Sequence, residues 1–131
     1  MTDVNKLQAG MEDFKCTGQV VIGDGVNLKI VSNNLKSGIW SVTPAKLFTG
    51  PGDNGWMAQG RLGESLGPNG SIIYNAADRA KFKLDFDVPY NKNNTVSITC
   101  EGEDCELYAY SVSRVPESGR ITTPIYKISR K

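Results

Sequence analysis

The sequence contains no histidine. That absence removes Ser-His-Asp and Cys-His nucleophilic catalysis together with the commonest metal ligand. Net charge is nearly absent too, at +1, so no nucleic-acid partner is expected on electrostatic grounds. The basic ending Ser129-Arg130-Lys131 is too short to alter this. No apolar run approaches the ~20 residues of a membrane-spanning helix. The opening Met1-Thr2-Asp3-Val4-Asn5-Lys6 lacks the apolar core of a secretory signal. A cytoplasmic protein, or one released without a classical signal peptide, is therefore expected. Cysteine is scarce: Cys16, Cys100 and Cys105 are the only three. An odd count without a signal argues against a disulfide framework. Cys100 and Cys105 flank a tight turn and could pair across it, but reduced, buried thiols are the favoured expectation. Three scattered cysteines do not make a structural zinc site. With no legible nucleophile–base pair, the chain reads as a non-enzyme with no cofactor and no metal.

What is present is 131 residues, enough for one domain with a sizeable core. Residues 1–15 form an N-terminal amphipathic segment. There Val4, Leu7, Met11 and Phe14 fall at helical spacing, and a short helix is expected over residues 3–14, weakened by ~1 kcal/mol at Gly10. Packing on its own domain is favoured over entry into a membrane surface. From Cys16 the period changes. Gln19-Val20-Val21-Ile22 and Val26-Asn27-Leu28-Lys29-Ile30-Val31 read as strands about the turn Gly23-Asp24-Gly25. Ile39–Val42, Trp56–Leu62 and Ser71–Asn75 read as further strands. Phe82, Leu84 and Phe86 alternate with Lys83, Asp85 and Asp87, which predicts a strand with one buried face. Thr95–Cys100 and Glu106–Val112 flank Glu101-Gly102-Glu103-Asp104, which predicts a hairpin. Ile121–Ile128 is the last strand, and Pro124 inside it predicts an edge or a bulge. Eight or nine short strands with glycine-rich turns predict an all-β protein, a single β-sandwich over residues 16–131.

Several motifs have a plainer reading. Gly50-Pro51-Gly52-Asp53-Asn54-Gly55 matches the dinucleotide-binding string, but that motif must open a helix. Gly60, Gly63 and Gly67 follow instead, and a mobile surface loop is expected. Glu101, Glu103, Asp104 and Glu106 crowd one turn without the spacing of a calcium loop; a solvated acidic turn is expected.

The stretch Phe86-Asp87-Val88-Pro89-Tyr90-Asn91-Lys92-Asn93-Asn94-Thr95 holds the clearest chemistry. Pro89 cannot donate to a ladder, so it ends a strand and fixes the angle at which the chain leaves it. Tyr90 follows where the chain turns to solvent. Asn91, Asn93 and Asn94 add donors and acceptors without charge, and Lys92 adds a cation. An aromatic ring beside amides and an ammonium suits a phosphate–choline pair or the hydroxyl face of a sugar. An ordinary turn rich in asparagine explains the same residues. Tyr108 and Tyr110 share one face of their strand and offer flat rings with polar tips.

Leu84 to Val96 resembles the strand, Pro-aromatic step and short asparagine-bearing loop of the actinoporins and the fungal and bacterial aegerolysins. Ser118-Gly119-Arg120-Ile121-Thr122 is similar to the aegerolysin ending, a glycine turn before a last strand, and Val26 to Trp40 to their early tryptophan-bearing strand. The resemblance implies a sandwich that binds lipid headgroups at a membrane surface and, in some members, a homo-oligomeric pore-forming cytolysin. It places Pro89 and Tyr90 at the binding edge with Tyr108 and Tyr110 as supporting rings. The expected ligand-binding set is thus Pro89, Tyr90, Asn91, Asn93, Tyr108 and Tyr110. Two other readings of the same sandwich stand beside it: a lectin-like glycan binder, and a structural or protein-interaction domain without a small ligand.

Overall fold

A computed structural model describes residues 14–61, 66–89, 92–116 and 118–131. The helix expected over residues 3–14 lies outside them except for Phe14, which is buried. The chain folds as a sandwich of two sheets, as the alternation predicted. One sheet contains β1 (Lys15–Ile22), β3 (Ile39–Val42), β5 (Gly52–Gln59), β9 (Tyr108–Val112), β10 (Ile121–Thr122) and β11 (Ile125–Arg130). Its order is β3-β5-β1-β11-β9, with β10 also on β1. The other contains β2 (Asn27–Ser37), β4 (Leu47–Thr49), β6 (Asn69–Ala76), β7 (Lys81–Asp87) and β8 (Thr95–Glu101), in the order β4-β2-β6-β7-β8. Short strands such as β4 and β10 carry the count above the eight or nine expected.

The strand β7 shows how sequence makes this architecture. Phe82, Leu84 and Phe86 are all but inaccessible, while Lys81, Lys83 and the half-exposed Asp85 and Asp87 face water. A period of two puts every second side chain on one face. At the centre, Trp56 packs against Trp40, Phe86 and Tyr126. Burying a ring of this size is worth roughly 4–6 kcal/mol by area. Gly18 pairs with Trp56 across β1 and β5, and a Cβ on Gly18 would overlap the indole. Two tyrosines fasten the layers through their tips. Tyr126 donates from its hydroxyl to the Asp85 carbonyl at 2.7 Å, and Tyr74 to the Ala45 carbonyl at 2.7 Å. Burial pushes both phenols far up from their ordinary range.

Four sequence expectations are corrected. The turn at 101–104 does not close a hairpin: β8 ends one sheet, β9 begins in the other, and β9 pairs with β11. The chain crosses the sandwich there, as it does between β1 and β2. Cys100 and Cys105 are joined as a disulfide across this crossing, and Cys16 alone is a free, buried thiol. Gly52–Gly55, expected in a loop, belongs to β5. Pro124 marks neither an edge nor a bulge. It separates β10 from β11, both of which pair in parallel with the central β1. It lies in the gap between the two strands, and its carbonyl still accepts from the Gln19 N–H at 3.0 Å.

The strand directions divide the loops between two ends. One end gathers residues 23–26, 77–80 and 102–107 with Arg130. The other gathers Phe14, residues 60–61, 66–68, 88–89 and 92–94, and residues 113–116 and 118–120.

Candidate functional site

Pro89 stands at the second of these ends. Val88 before it is fully buried, and its N–H donates to the Pro68 carbonyl at 2.9 Å. Gly67 lies so close to the Val88 carbonyl that a Cβ would collide with it. The exit of β7 is therefore clamped before the loop begins. On the far side of the loop Asn94 is 5% exposed. Its side-chain amide donates to the Pro116 carbonyl at 3.3 Å and to the Gly119 carbonyl at 3.2 Å. A short amide thus ties the 89–94 loop to the 118–120 turn. Two of the three segments that carried the sequence resemblance meet here.

Between them lies an open cavity of about 570 Å³, lined by Phe14, Pro89, Lys92, Asn93, Ser118, Gly119 and Arg120. Lys92 and Arg120 are exposed. Beside the cavity two aliphatic side chains stand in solvent: Leu66 and Ile121 are each 58% exposed. Ile121 is paired with Lys15, next to Phe14, and Leu66 precedes Gly67, which approaches the Phe14 side chain. Among the described residues this end carries Lys15, Lys36, Arg61, Lys92, Arg114 and Arg120 against the single carboxylate Asp87. Burial raises the Asp87 carboxyl above its ordinary range, and the charges of Lys92 and Lys36 offset only part of that.

Of the residues expected at the site, Pro89 and Asn93 line the cavity; Tyr90 and Asn91 lie outside the described residues. Tyr108 and Tyr110 are not brought to it. Both rings pack on Phe82, with centroids 5.3 and 5.5 Å away. Phe82 sits near the start of β7 and Pro89 beyond its end, roughly 20 Å apart at the rise of a strand. Tyr108 is buried, not a supporting ring on a surface. Its hydroxyl donates to Asp78 at 2.6 Å, and Arg130 donates to Asp78 at 2.8 Å and to the Tyr108 oxygen at 3.2 Å. Burial and the bond to Asp78 push the Tyr108 phenol up to about 12. Burial raises the Asp78 carboxyl, but the bonds from Tyr108 and Arg130 outweigh it and leave the group below its usual range. The acidic turn at this opposite end is braced by Arg79, 2.7 Å from Glu103 and 3.6 Å from Asp104.

Sequence reasoning did not place Phe14, Leu66, Ser118, Arg120 or Ile121 at the site. The glycine turn at 118–120 was the available signal, but nothing local says that it meets a loop some 25 residues earlier.

No family model and no curated protein matches the chain. Solved structures do. IP-1A from Alcaligenes faecalis is similar with a TM-score of 0.77 at 14% identity, covering 96% of this chain and 97% of that one. The lipid binding protein Nakanori gives 0.71 at 16% identity over 98% and 80%. The RahU protein, solved with a TRIS molecule, gives 0.68 at 17% identity over 92% and 97%. At the level of the fold, these likenesses support the group named from the sequence.

Proposed function

We propose that this protein binds phosphate-bearing lipid headgroups at a membrane surface through the loop end of the sandwich. The carrying observation is the cavity that Asn94 holds together, with Lys92 and Arg120 on its rim. The protein is read as a binding module and not as an enzyme. An exposed cation near an anionic membrane contributes about 1 kcal/mol. Leu66 and Ile121, entering the headgroup boundary together, each add up to about 1.5–3 kcal/mol. Neither contribution alone gives firm attachment, so the two act jointly. That Nakanori, a lipid binding protein, has the same fold supports the reading. Pore formation is its finer form, and dye release from the same vesicles would read it.

Flotation with vesicles of phosphatidylcholine, alone or mixed with phosphatidylserine, tests the proposal. The wild type is expected to float with the mixed vesicles. The double change Lys92→Ala, Arg120→Ala should weaken flotation and flatten its dependence on salt. The double change Leu66→Ser, Ile121→Ser should weaken it at every salt concentration. Flotation unaffected by both pairs would show that another face meets the lipid.

A further inference from the structure

The outer face of the second sheet changes character along its length. Toward the end knitted by the Tyr108, Asp78 and Arg130 bonds it carries Lys29, Val31, Leu47, Ile73, Lys81 and Lys83. Toward the loop end it carries short polar groups in two adjoining cross-strand rows. Asn69, Asp87 and Thr95 form one row through β6, β7 and β8. Asn34, Ser71 and Asp85 form the next through β2, β6 and β7. Neighbours in a row stand about 4.8 Å apart, and successive outward residues of a strand about 6.7 Å.

A solvated sheet face is ordinarily flat and carries long charged side chains. This one is hollowed into a groove of about 310 Å³, within the size range of small-ligand sites. A register shift between Leu35 and Ser37 leaves Lys36 as the extra residue of β2 and brings its charge to bear on Asp87. Bulges of this kind re-aim side chains. Asp87 forms no hydrogen bond or ion pair with a described residue, yet burial raises its carboxyl above the ordinary range. A carboxylate partly stripped of water and without a partner among the described residues is an acceptor held ready for a ligand.

The geometry points to a subsite on this groove for the hydroxyl groups of a neutral hexopyranose. Asp87 and Asp85 accept from hydroxyls, the Asn69 and Asn34 amides both donate and accept, and the Ser71 and Thr95 hydroxyls do either. Lys36 and Lys83 line the groove with the two carboxylates, and Lys83 Nζ stands 3.8 Å from Asp85, so the lining carries no net charge and suits a neutral ligand. Among the described residues no cluster of three or more metal-binding side chains exists, so a cation is not the natural occupant. Phe86 closes the floor of the groove but is buried. Recognition there rests on matching hydroxyls and not on stacking, which makes a single sugar a weak ligand and an array of sugars a good one. The groove meets the loop end at Asp87, two residues before Pro89, so a sugar carried on a membrane reaches it beside the headgroup cavity. The subsite stands independently of the headgroup reading.

Saturation-transfer NMR on the whole protein with galactose, glucose, mannose and N-acetylglucosamine at millimolar concentration tests the subsite. Transfer to the ring protons of at least one sugar is expected. Ser71→Val fills the groove with a good strand former and Asp87→Asn removes its charged acceptor, so each should weaken that sugar about tenfold or more, with melting unchanged. Lys92→Ala with Arg120→Ala should leave it untouched, which separates this subsite from the headgroup cavity. Flotation on phosphatidylcholine vesicles with and without a neutral glycosylceramide then identifies the source. Retention that requires the glycolipid and is lost in Ser71→Val assigns a membrane glycan; sugar binding without retention assigns a soluble one. No transfer from any of the four sugars, or transfer that survives both Ser71→Val and Asp87→Asn, overturns the inference.

Discussion

At one end of the sandwich Tyr108, Asp78 and Arg130 bond to one another, Arg79 braces the acidic turn, and a disulfide spans the crossing from β8 to β9. At the other end one buried amide, Asn94, ties two loops, while Lys92, Arg120, Leu66 and Ile121 stand in solvent. The first end uses its polar groups on itself. The second leaves cations and apolar side chains without enclosure, an arrangement that adds little to the stability of the isolated chain. Exposed cations and apolar side chains concentrated at one end are the feature on which the proposed membrane contact rests.

The core should not share this asymmetry. Phe82 serves the knitted end and Phe86 the open one, and both are buried. Replacing either with Ala should cost about 3–5 kcal/mol in denaturant unfolding. A difference above ~2 kcal/mol between them would move the asymmetry from the loops into the core. Next in size is the disulfide. Cys100→Ser with Cys105→Ser opens a loop of sequence separation 5, for which chain entropy gives about 2 kcal/mol, and vesicle flotation should be unchanged. Lost flotation would show that the two ends communicate.

Asn94→Ala strips two carbonyls of their shared donor. It should cost about 1–2 kcal/mol and abolish most flotation, a loss larger than the stability change explains. A mutant that melts early but still floats would make Asn94 a mere structural tie. The smallest effect belongs to Tyr108→Phe, about 1 kcal/mol at neutral pH. Its pH dependence is more telling. With the folded phenol at about 12 and the unfolded one near 10, the folded state holds this proton more tightly. The stabilisation is full below about pH 10 and falls as pH rises from there toward 12. Urea unfolding across that range should decline more steeply in the wild type than in Tyr108→Phe.

The legible parts of the sequence were those with strong local patterns. β7 announced itself because charged and apolar residues alternate without a break, and Ile39–Val42 because a short run around Trp40 stops near Pro44. Partnership was not legible. Gly23-Asp24-Gly25 and Glu101-Gly102-Glu103-Asp104 say that the chain turns; they do not say whether it returns to its own sheet or passes to the opposite one. The same gap misplaced Tyr108 and Tyr110. Their alternation was read correctly, but which end of the molecule they occupy depends on β9 pairing with β11. At the site, the Pro89 loop was visible from its own residues. Arg120 and Ile121 were visible only as part of a likeness, since their role comes from a meeting in space.

The position of β11 between β1 and β9 bears on how the molecule is made. β1 waits for a partner about a hundred residues downstream, and β9 pairs with β11 alone among the described strands. Long-range pairings of this kind form late, because loop closure must precede the reward. During synthesis the first sheet stays an open set of β3, β5 and β1 until residues 121–130 emerge. Until then the edge of β1 is exposed, and the nascent chain needs protection along that edge more than anywhere else.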